Sequence, residues 1–433
     1  MMNTPSAERA DELDARAREI LTQNDRGGYT VPTKGLYPFQ WNWDSALVAL
    51  GFATFDTERA WTEIETLFKA QWDDGMVPHI VFWQDDAGYF PGHDQWGSET
   101  SPPTSGITQP PVAATIVRAL FERDPDVARA ANLVEKLARW HVWFARARDP
   151  QGRGLVAITH PWESGRDNLP DWDAPLSYVD TSRVGDYQRR DTQHVHADQR
   201  PLKAEYDKYM ALVQFGREAK WDIDTIAQGN PFWVADIGVN AILLRAERDL
   251  AALAAAVGET DIAESARVRA ARMEAGIEAL WSEELNGYVS LDLRHDAKAT
   301  TLSAGTLLAL YGGVGAGRAE QLTATLARWA ERVTYLVPSY DPEESRFDPI
   351  RYWRGPVWAV VNWMIASGLA DAGKGDLAEV VRRDTGRLIA KSGFYESFDP
   401  LTGAGCGGGD FSWTAAMWLA WASPNMPGAH EEG

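Results

Sequence analysis

The stretch VWAVVNWMIASGLA at residues 357–370 decides the fold, because apolar residues cover nearly every side of a helix drawn through it. The stretch WTAAMWLAWA at residues 413–422 has the same character. Residues 259–283, in contrast, carry one strongly charged face. Helices that are buried on all sides alternate here with helices that are half exposed, as expected from two concentric helical layers.

Helical spacing recurs along most of the chain. Leu133, Leu137, Trp140 and Phe144 form one apolar stripe at this spacing. Further helices are predicted at residues 11–21, 45–52, 57–68, 110–122, 201–219, 231–257, 259–283, 300–311, 317–333, 354–372, 375–391 and 411–422. About a dozen helices with little strand-like alternation predict an all-α protein, whose paired helices close into an (α/α)6 barrel.

Residues 1–433 show no linker and no internal repeat, which predicts a single barrel domain. The least regular region is residues 150–200, which have few helical stripes and many Asp, Arg and His side chains. We interpret this region as an insertion that caps the mouth of the barrel. Functional residues commonly lie on such loops, held by a rigid scaffold.

The bulk composition excludes several classes of partner. A net charge of −20 argues against nucleic acid, whose phosphates require a basic surface. The sequence has neither a signal-peptide stretch near residues 1–21 nor an apolar run long enough for a membrane span. The single cysteine, Cys406, excludes an intrachain disulfide, and we expect a cytoplasmic protein. The apolar stripes are also compatible with a homo-oligomer.

The most unusual segment is HPWESGRDNLP at residues 160–170, which surrounds a glycine with a Trp, two carboxylates and an Asn. Prolines bracket it, so it reads as an ordered loop. The face of Trp162 can pack against the C–H face of a sugar. A carboxylic acid beside that face can protonate a glycosidic oxygen. Asp167 is therefore the first candidate proton donor.

Cleavage of a glycosidic bond usually needs a second carboxyl group, which activates water or attacks the sugar. Glu396 is the candidate, because it lies between aromatic residues in GFYESFDP at residues 393–400. Composition leaves four rival acids open: Glu163, Glu205, Asp207 and Asp399.

Nine motifs occur in order between residues 35 and 420: LYPFQWNWDSAL, MVPHIVF, GYFPG, SGITQPP, WESGRDN, QRPLKAEYDKY, YWRGPVW, FYESFDPLTG and SWTAA. Together they resemble glycoside hydrolase family 63, within it the short bacterial mannosylglycerate and glucosylglycerate hydrolases. The resemblance implies an (α/α)6 barrel. It also implies inverting hydrolysis of α-glycosides, and we expect 2-O-α-D-glucosylglycerate or 2-O-α-D-mannosylglycerate to be cleaved to hexose and glycerate. Hydrolysis driven by two carboxyl groups requires no cofactor, and we expect no metal.

The same resemblance implies roles for individual residues. Asp167 would be the general acid and Glu396 the general base that activates water. Around the cleaved sugar it places Tyr37, Trp41, Trp43, Asp44, Trp162 and Trp358. Around the aglycone it places Tyr89, Gln109, Arg200, Tyr206, Tyr352 and Trp353. Arg200 is informative, since a guanidinium suits the carboxylate of glycerate.

One motif departs from the family pattern, which often has Gln just before S-W-T. Asp410-Phe411 stands there, after the glycine-rich segment GAGCGGG at residues 403–409, for which we expect a mobile flap or a surface loop. This segment lacks the GK[ST] ending of a phosphate loop. His194 and His196, near two aspartates, are interpreted as exposed histidines rather than metal ligands.

Three alternatives to a glycerate glycosidase remain at this stage. The first is an α-glucosidase acting on a neutral glucoside such as kojibiose, glucosylglycerol or a trehalose-like disaccharide. The second is a sugar epimerase or isomerase, which would use a pair of histidines, although only His160 accompanies a central motif. The third is a sugar-binding protein without catalysis, against which both candidate carboxylates argue.

Overall fold

A computed structural model of the chain describes residues 6–86, 88–314 and 316–426. Its α-helices are α1 (Ala7–Asn24), α2 (Asn42–Phe52), α3 (Thr57–Leu67), α4 (His93–Trp96), α5 (Ala113–Arg123), α6 (Val127–Ala147), α7 (Asp173–Leu176), α8 (Asp191–His194), α9 (Lys203–Glu218), α10 (Ile223–Gly229), α11 (Ile237–Val257), α12 (Thr260–Ile277), α13 (Gly305–Gly312), α14 (Ala319–Ala330), α15 (Ala359–Asp371), α16 (Gly375–Ser392) and α17 (Ser412–Met417). A π-helical turn over Trp418–Ala422 continues α17.

In the described part of the chain, six of these helices form a closed inner ring. Each of α2, α5, α11, α13, α15 and α17 packs against the next, and α17 returns to α2. Five outer helices, α3, α6, α12, α14 and α16, each follow an inner helix and pack against it. The sixth outer helix is α1, which packs against α17 and so joins the two ends of the chain. The predicted all-α (α/α)6 barrel is confirmed.

The burial pattern explains why the two layers have different sequences. Nearly every side of α15 is buried, including Val360, Met364, Ile365 and Leu369. The outer-layer helix α12, in contrast, buries one stripe, formed by Ala263, Ala266, Ala270, Met273 and Ile277. The spacing of that stripe is three and four residues, so one face meets the ring and the other meets water.

The inner helix α13 begins at Gly305 rather than 300. Two others, α15 and α11, also begin later than the sequence pattern predicts. α15 begins at Ala359 rather than 354, because Gly355 and Pro356 belong to a loop in which Val357 pairs with Phe398. α11 begins at Ile237 rather than 231, because Asp236 caps it by accepting hydrogen bonds from the N–H groups of Gly238 and Val239. In both cases apolar loop residues precede the helix and extend the apolar pattern.

The strands are short antiparallel pairs in the loops: β1 (Gln40–Trp41), β2 (Ile80–Val81), β3 (Val234–Ala235), β4 (Trp281–Ser282), β5 (Gly287–Tyr288), β6 (Leu291–Asp292), β7 (Ala297–Lys298), β8 (Ser397–Phe398) and β9 (Gly405–Cys406). β1 pairs with β2, β6 lies between β3 and β7, β4 pairs with β5, and β8 pairs with β9. In the first pair Gln40 faces Val81, and in the last Ser397 faces Cys406.

Between α6 and α11 the chain leaves the two layers for residues 148–236, which contain α7 to α10. The insertion predicted at residues 150–200 falls inside this longer excursion. Among the described residues, no helix is long and apolar enough to cross a lipid bilayer.

Candidate active site

A pocket of about 840 Å³, measured to its open mouth, lies where the loops before α2, α5 and α17 meet the excursion between α6 and α11. Its lining is rich in aromatic rings and contains four carboxyl groups. The lining residues are Pro32, Leu36, Tyr37, Trp41, Trp43, Asp44, His79, Ile80, Tyr89, Phe90, Pro91, Gln109, Trp162, Gly165, Asp167, Arg190, Asp191, Arg200, Pro201, Tyr206, Tyr352, Glu396, Phe411 and Trp413.

Asp167 is positioned by the loop HPWESGRDNLP at residues 160–170. A 3₁₀ turn over Pro161–Ser164 ends at Gly165, whose φ of +67° is accessible to glycine without strain. A Cβ atom at Gly165 would lie 2.6 Å from the ring of Trp43, so the close approach of these residues also requires glycine. The Tyr209 hydroxyl donates a hydrogen bond of 2.8 Å to the backbone oxygen of Asp167 and holds the loop from the other side.

The environment of Asp167 favours its protonated form. Burial raises the pKa of this carboxyl group to about 7, and the nearby Glu396 carboxylate adds to the effect, although Arg200 opposes it. A hydrogen bond from Tyr352 also opposes the rise. A carboxyl group with this pKa can deliver a proton near neutral pH.

Glu396 lies just before β8 and is 1% exposed. The Tyr37 hydroxyl donates a hydrogen bond of 3.0 Å to its Oε1, and the Gly408 N–H donates one of 3.2 Å to its Oε2. The Trp413 indole donates to its backbone oxygen at 3.1 Å. A Cβ atom at Gly407 would lie 2.2 Å from Oε2, so glycine is needed where the chain passes Glu396.

Arg200 connects Glu396 with the excursion. Its Nη1 donates to both carboxylate oxygens of Glu396, at 3.3 and 3.1 Å, and its Nε donates to Asp191 at 3.2 Å. Its Nη2 donates to the Tyr37 hydroxyl, and its guanidinium lies 4.4 Å from the ring centre of Tyr352. The charge of this buried cation is therefore balanced by two carboxylates.

Asp44 is a third carboxyl group of the same pocket, in the first turn of α2. Burial raises its pKa well above the ordinary value, and the charges of Glu396 and Asp167 raise it further. Of the four carboxyl groups in this pocket, Glu396 and Asp191 are ion-paired to Arg200, whereas Asp44 and Asp167 are not. Burial thus favours the protonated forms of Asp44 and Asp167, whereas Glu396 has a cation as its partner.

Ten of the twelve substrate-binding residues expected from the resemblance line this pocket. Two do not: Trp353 and Trp358 are absent from its described lining. Their rings stack on each other at 3.8 Å with an angle of 1°, and Trp358 contacts the rings of Tyr352 and Trp413. They therefore support the lining from behind.

The four rival acids are engaged elsewhere, and in the described structure none of them lines the pocket. Glu163 accepts hydrogen bonds from Arg148, at 2.6 Å, and from the Thr159 N–H, also at 2.6 Å. Glu205 is ion-paired to Arg354 and Asp207 to Lys203, while Asp399 accepts from the Thr402 hydroxyl.

Sequence reasoning missed three lining residues that carry polar chemistry: His79, Arg190 and Asp191. His79 belongs to the quoted motif MVPHIVF, which was the signal available for it. Arg190 and Asp191 lie in the irregular segment and carry no motif. Arg190 is ion-paired to Asp86 at 2.7 Å.

The glycine-rich segment is part of the site. Its strand β9 pairs with β8. The Gly407 N–H donates a hydrogen bond of 2.9 Å to the side-chain oxygen of Gln199, and the Gly408 N–H donates one to Glu396. Asp410 points away from the pocket and is ion-paired to Arg16 of α1 at 2.8 Å. The next residue, Phe411, lines the pocket, whereas Asp410 does not.

Comparison with known proteins identifies relatives of the whole barrel. The family model described as "Mannosylglycerate hydrolase MGH1-like glycoside hydrolase domain" matches residues 37–414. The mannosylglycerate hydrolase of a Thermus thermophilus strain is 49% identical over 414 residues, which cover 94% of this chain and 99% of the relative. The glucosylglycerate hydrolase of Mycolicibacterium hassiacum is 35% identical, over 95% of this chain and 97% of the relative.

A solved structure of a mannosylglycerate hydrolase is also similar to this chain. The GH63 mannosylglycerate hydrolase from a second strain of Thermus thermophilus, in complex with Tris and D-glycerate, superposes with a TM-score of 0.92 at 48% identity. The match covers 94% of this chain and 99% of the solved one. On the family match and the sequence identity together, the chain is a glycoside hydrolase and belongs to the mannosylglycerate hydrolase MGH1-like family of glycoside hydrolase family 63.

Proposed function

We propose that the chain hydrolyses 2-O-α-D-mannosylglycerate to mannose and glycerate with inversion at the anomeric carbon. The observation that carries the proposal is the meeting of Asp167, Glu396 and Arg200 in one pocket. Asp167 has a pKa of about 7, and Glu396 is ion-paired to Arg200. One acid is thus suited to donate a proton, while the other is suited to accept one.

In the proposed reaction, Asp167 transfers its proton to the glycosidic oxygen as the bond from this oxygen to the anomeric carbon breaks. A water molecule attacks the anomeric carbon from the opposite face, and Glu396 takes the proton that the water loses. Glycerate leaves with the proton from Asp167, and the hexose leaves as the β-anomer. Inverting enzymes keep the two carboxyl groups about 6.5–9.5 Å apart to leave room for this water.

The aromatic lining supports sugar binding. Trp43 approaches the backbone of Gly165 next to the proposed acid, and Trp413 packs edge-on against Trp43 at 5.7 Å. Such rings present flat apolar faces to the C–H groups of a hexose. Asp44, in the same wall, can form hydrogen bonds with the hydroxyl groups of that hexose.

The glycerate carboxylate would be recognised by Arg200. Its guanidinium is buried and held by Asp191 and Tyr37. The carboxylate of the ligand would then share this guanidinium with Glu396. Arg190 is the second cation in the lining, and its charge is already paired with Asp86.

Glucosylglycerate is the second candidate substrate. It is favoured by the relative named glucosylglycerate hydrolase, which matches over 95% of this chain. Mannose and glucose differ in one hydroxyl group, so both glycosides fit a pocket of the same size and charge.

The test is a substrate panel with the purified 433-residue chain. We expect kcat/KM to be highest for mannosylglycerate. It should be at least about 100-fold lower for neutral glucosides such as glucosylglycerol and kojibiose, because these lack the glycerate carboxylate that Arg200 would bind. Asp167→Asn and Glu396→Gln should each lower kcat by about 10²- to 10⁴-fold. A neutral glucoside as the best substrate, or near-normal activity of both variants, would refute the proposal.

A further inference from the structure

His79 lies in the lining of the pocket at the residue before β2 and is 5% exposed. Its backbone N–H donates a hydrogen bond of 2.7 Å to the backbone oxygen of Ile107. Its own backbone oxygen accepts a hydrogen bond of 3.0 Å from the N–H of Asn42. The residue is thereby fixed between the loops that precede α5 and α2. Its ring stacks against that of Trp162, with 6.0 Å between centroids and an angle of 21°.

The imidazole of His79 has no hydrogen-bonding partner among the residues that the structure describes. Nδ1 is buried and unpaired, whereas Nε2, which also lacks a partner, is not among the buried unpaired atoms and is therefore accessible. Because the residue is nearly enclosed and lines the pocket, Nε2 meets solvent through the pocket. His160 is different, since its Nδ1 accepts from the Trp162 N–H and its Nε2 contacts the backbone oxygen of Tyr209.

The imidazole is neutral at neutral pH, because burial lowers the pKa of His79 well below its ordinary value and the neighbouring His160 lowers it further. A neutral imidazole carries one N–H and one lone pair. Buried donors without an acceptor are rarer than buried acceptors without a donor. The proton therefore belongs on Nε2, where it points into the pocket.

We propose that His79 donates a hydrogen bond from Nε2 to a hydroxyl oxygen of the bound hexose, and so determines specificity for the sugar. The backbone contact with Asn42 places His79 beside the first turn of α2, which carries Trp43 and Asp44. These two residues form the proposed sugar wall, so the donor faces the hexose rather than the glycerate. The inference rests on the proposed function in requiring a hexose in this subsite.

Two variants separate the contribution of the imidazole N–H from that of the aromatic ring. His79→Phe keeps an aromatic ring against Trp162 but removes the donor, whereas His79→Gln places an amide N–H near the position of Nε2. We expect His79→Phe to lower kcat/KM for mannosylglycerate about 3- to 30-fold, and His79→Gln to recover a large part of the loss. Equal melting temperatures would establish that both variants are folded.

Deoxygenated substrates identify the partner hydroxyl. Four glycosides can be compared, each lacking the 2-, 3-, 4- or 6-hydroxyl of the hexose. The analogue that lacks the partner hydroxyl should have the same kcat/KM with wild type and with His79→Phe. On the other three analogues, His79→Phe should still have the lower kcat/KM. Wild-type kinetics for His79→Phe, an equal loss on all four analogues, or no recovery in His79→Gln would overturn the assignment.

A binding measurement keeps this test separate from the proposed function. Dissociation constants for free D-mannose, D-glucose and their monodeoxy derivatives can be measured by NMR titration even if the chain hydrolyses neither glycerate glycoside. Weaker hexose binding by His79→Phe, with recovery in His79→Gln, would support the role of His79 in that case too. Unchanged binding, or no hexose binding by the wild type, would refute it.

Discussion

The guanidinium of Arg200 forms an ion pair of 3.1 Å with the carboxylate of Glu396, which lies 196 residues away in the sequence. The cation proposed to recognise the glycerate carboxylate therefore also contacts the proposed base. A ligand carboxylate that binds Arg200 would therefore also change the surroundings of Glu396.

Replacing Arg200 with Ala should therefore affect neutral substrates as well as anionic ones. We expect kcat/KM for mannosylglycerate to fall about 10²- to 10³-fold, since charged hydrogen bonds to the ligand are lost. The kcat for a neutral glucoside should also change, because Glu396 loses its partner. Steady-state kinetics on both substrates checks this, with Arg183→Ala as the control, since Arg183 pairs with Glu218 outside the pocket. An unchanged kcat on the neutral substrate would show that the ion pair plays no part in catalysis.

The glycine-rich segment offers a matched pair of substitutions. Gly407→Ala should lower kcat at least about 10-fold, because the new Cβ atom meets Glu396 Oε2 and because φ is +76°. At Gly409 the nearest heavy atom to a Cβ lies at 4.0 Å, so Gly409→Ala should stay within about twofold of wild type. Equal kinetics for the two variants would mean that this segment does not fix Glu396.

The pKa of Asp167 predicts the alkaline limb of the pH profile. The general acid must be protonated in the free enzyme, so kcat/KM should fall as the pH rises through about 7. His160, the neighbouring histidine in the loop, does not contribute to this limb, since its pKa is about 3. A pH–rate profile for mannosylglycerate measures it. A flat profile between about pH 6 and 9 would be incompatible with Asp167 as the acid.

The same shift has a consequence for stability. In the folded chain Asp167 has a pKa of about 7, against 3.8 as the ordinary value. Between these two pH values the unfolded chain releases a proton that the folded chain keeps, so the contribution of Asp167 to stability decreases as the pH rises. Asp167→Asn removes this charge and should raise Tm by roughly 1 to 4 °C at about pH 8, but by less at about pH 4. Thermal melts at both pH values test this, and an equal or larger rise at the lower pH would contradict the buried carboxyl.

Much of the fold could be predicted because the ring helices bear an unusual pattern. The apolar residues on all sides of 357–370 and the single stripe of 259–283 distinguish the two layers by their sequences alone. The helix starts could not be read in the same way. Loop residues such as Trp233 and Val357 are apolar and buried, and they extend the pattern into segments that are not helical.

The site was predictable where a motif holds its residues together. Asp167 and Glu396 each lie in such a motif, and the structure brings both into one pocket. The contact between Arg200 and Glu396 depends on two loops that meet only in the folded chain. The approach of Gly407 to Glu396 and the unpaired imidazole of His79 are likewise properties of packing, which no local spacing contains.

The most direct test of the account is the anomeric form of the first hexose released from 2-O-α-D-mannosylglycerate, followed by proton NMR before mutarotation. A single displacement by water, with Asp167 as acid and Glu396 as base, predicts that β-mannose appears first and the α-anomer grows in later. Initial release of α-mannose would contradict the account, because it would require a covalent intermediate on one of the two carboxylates.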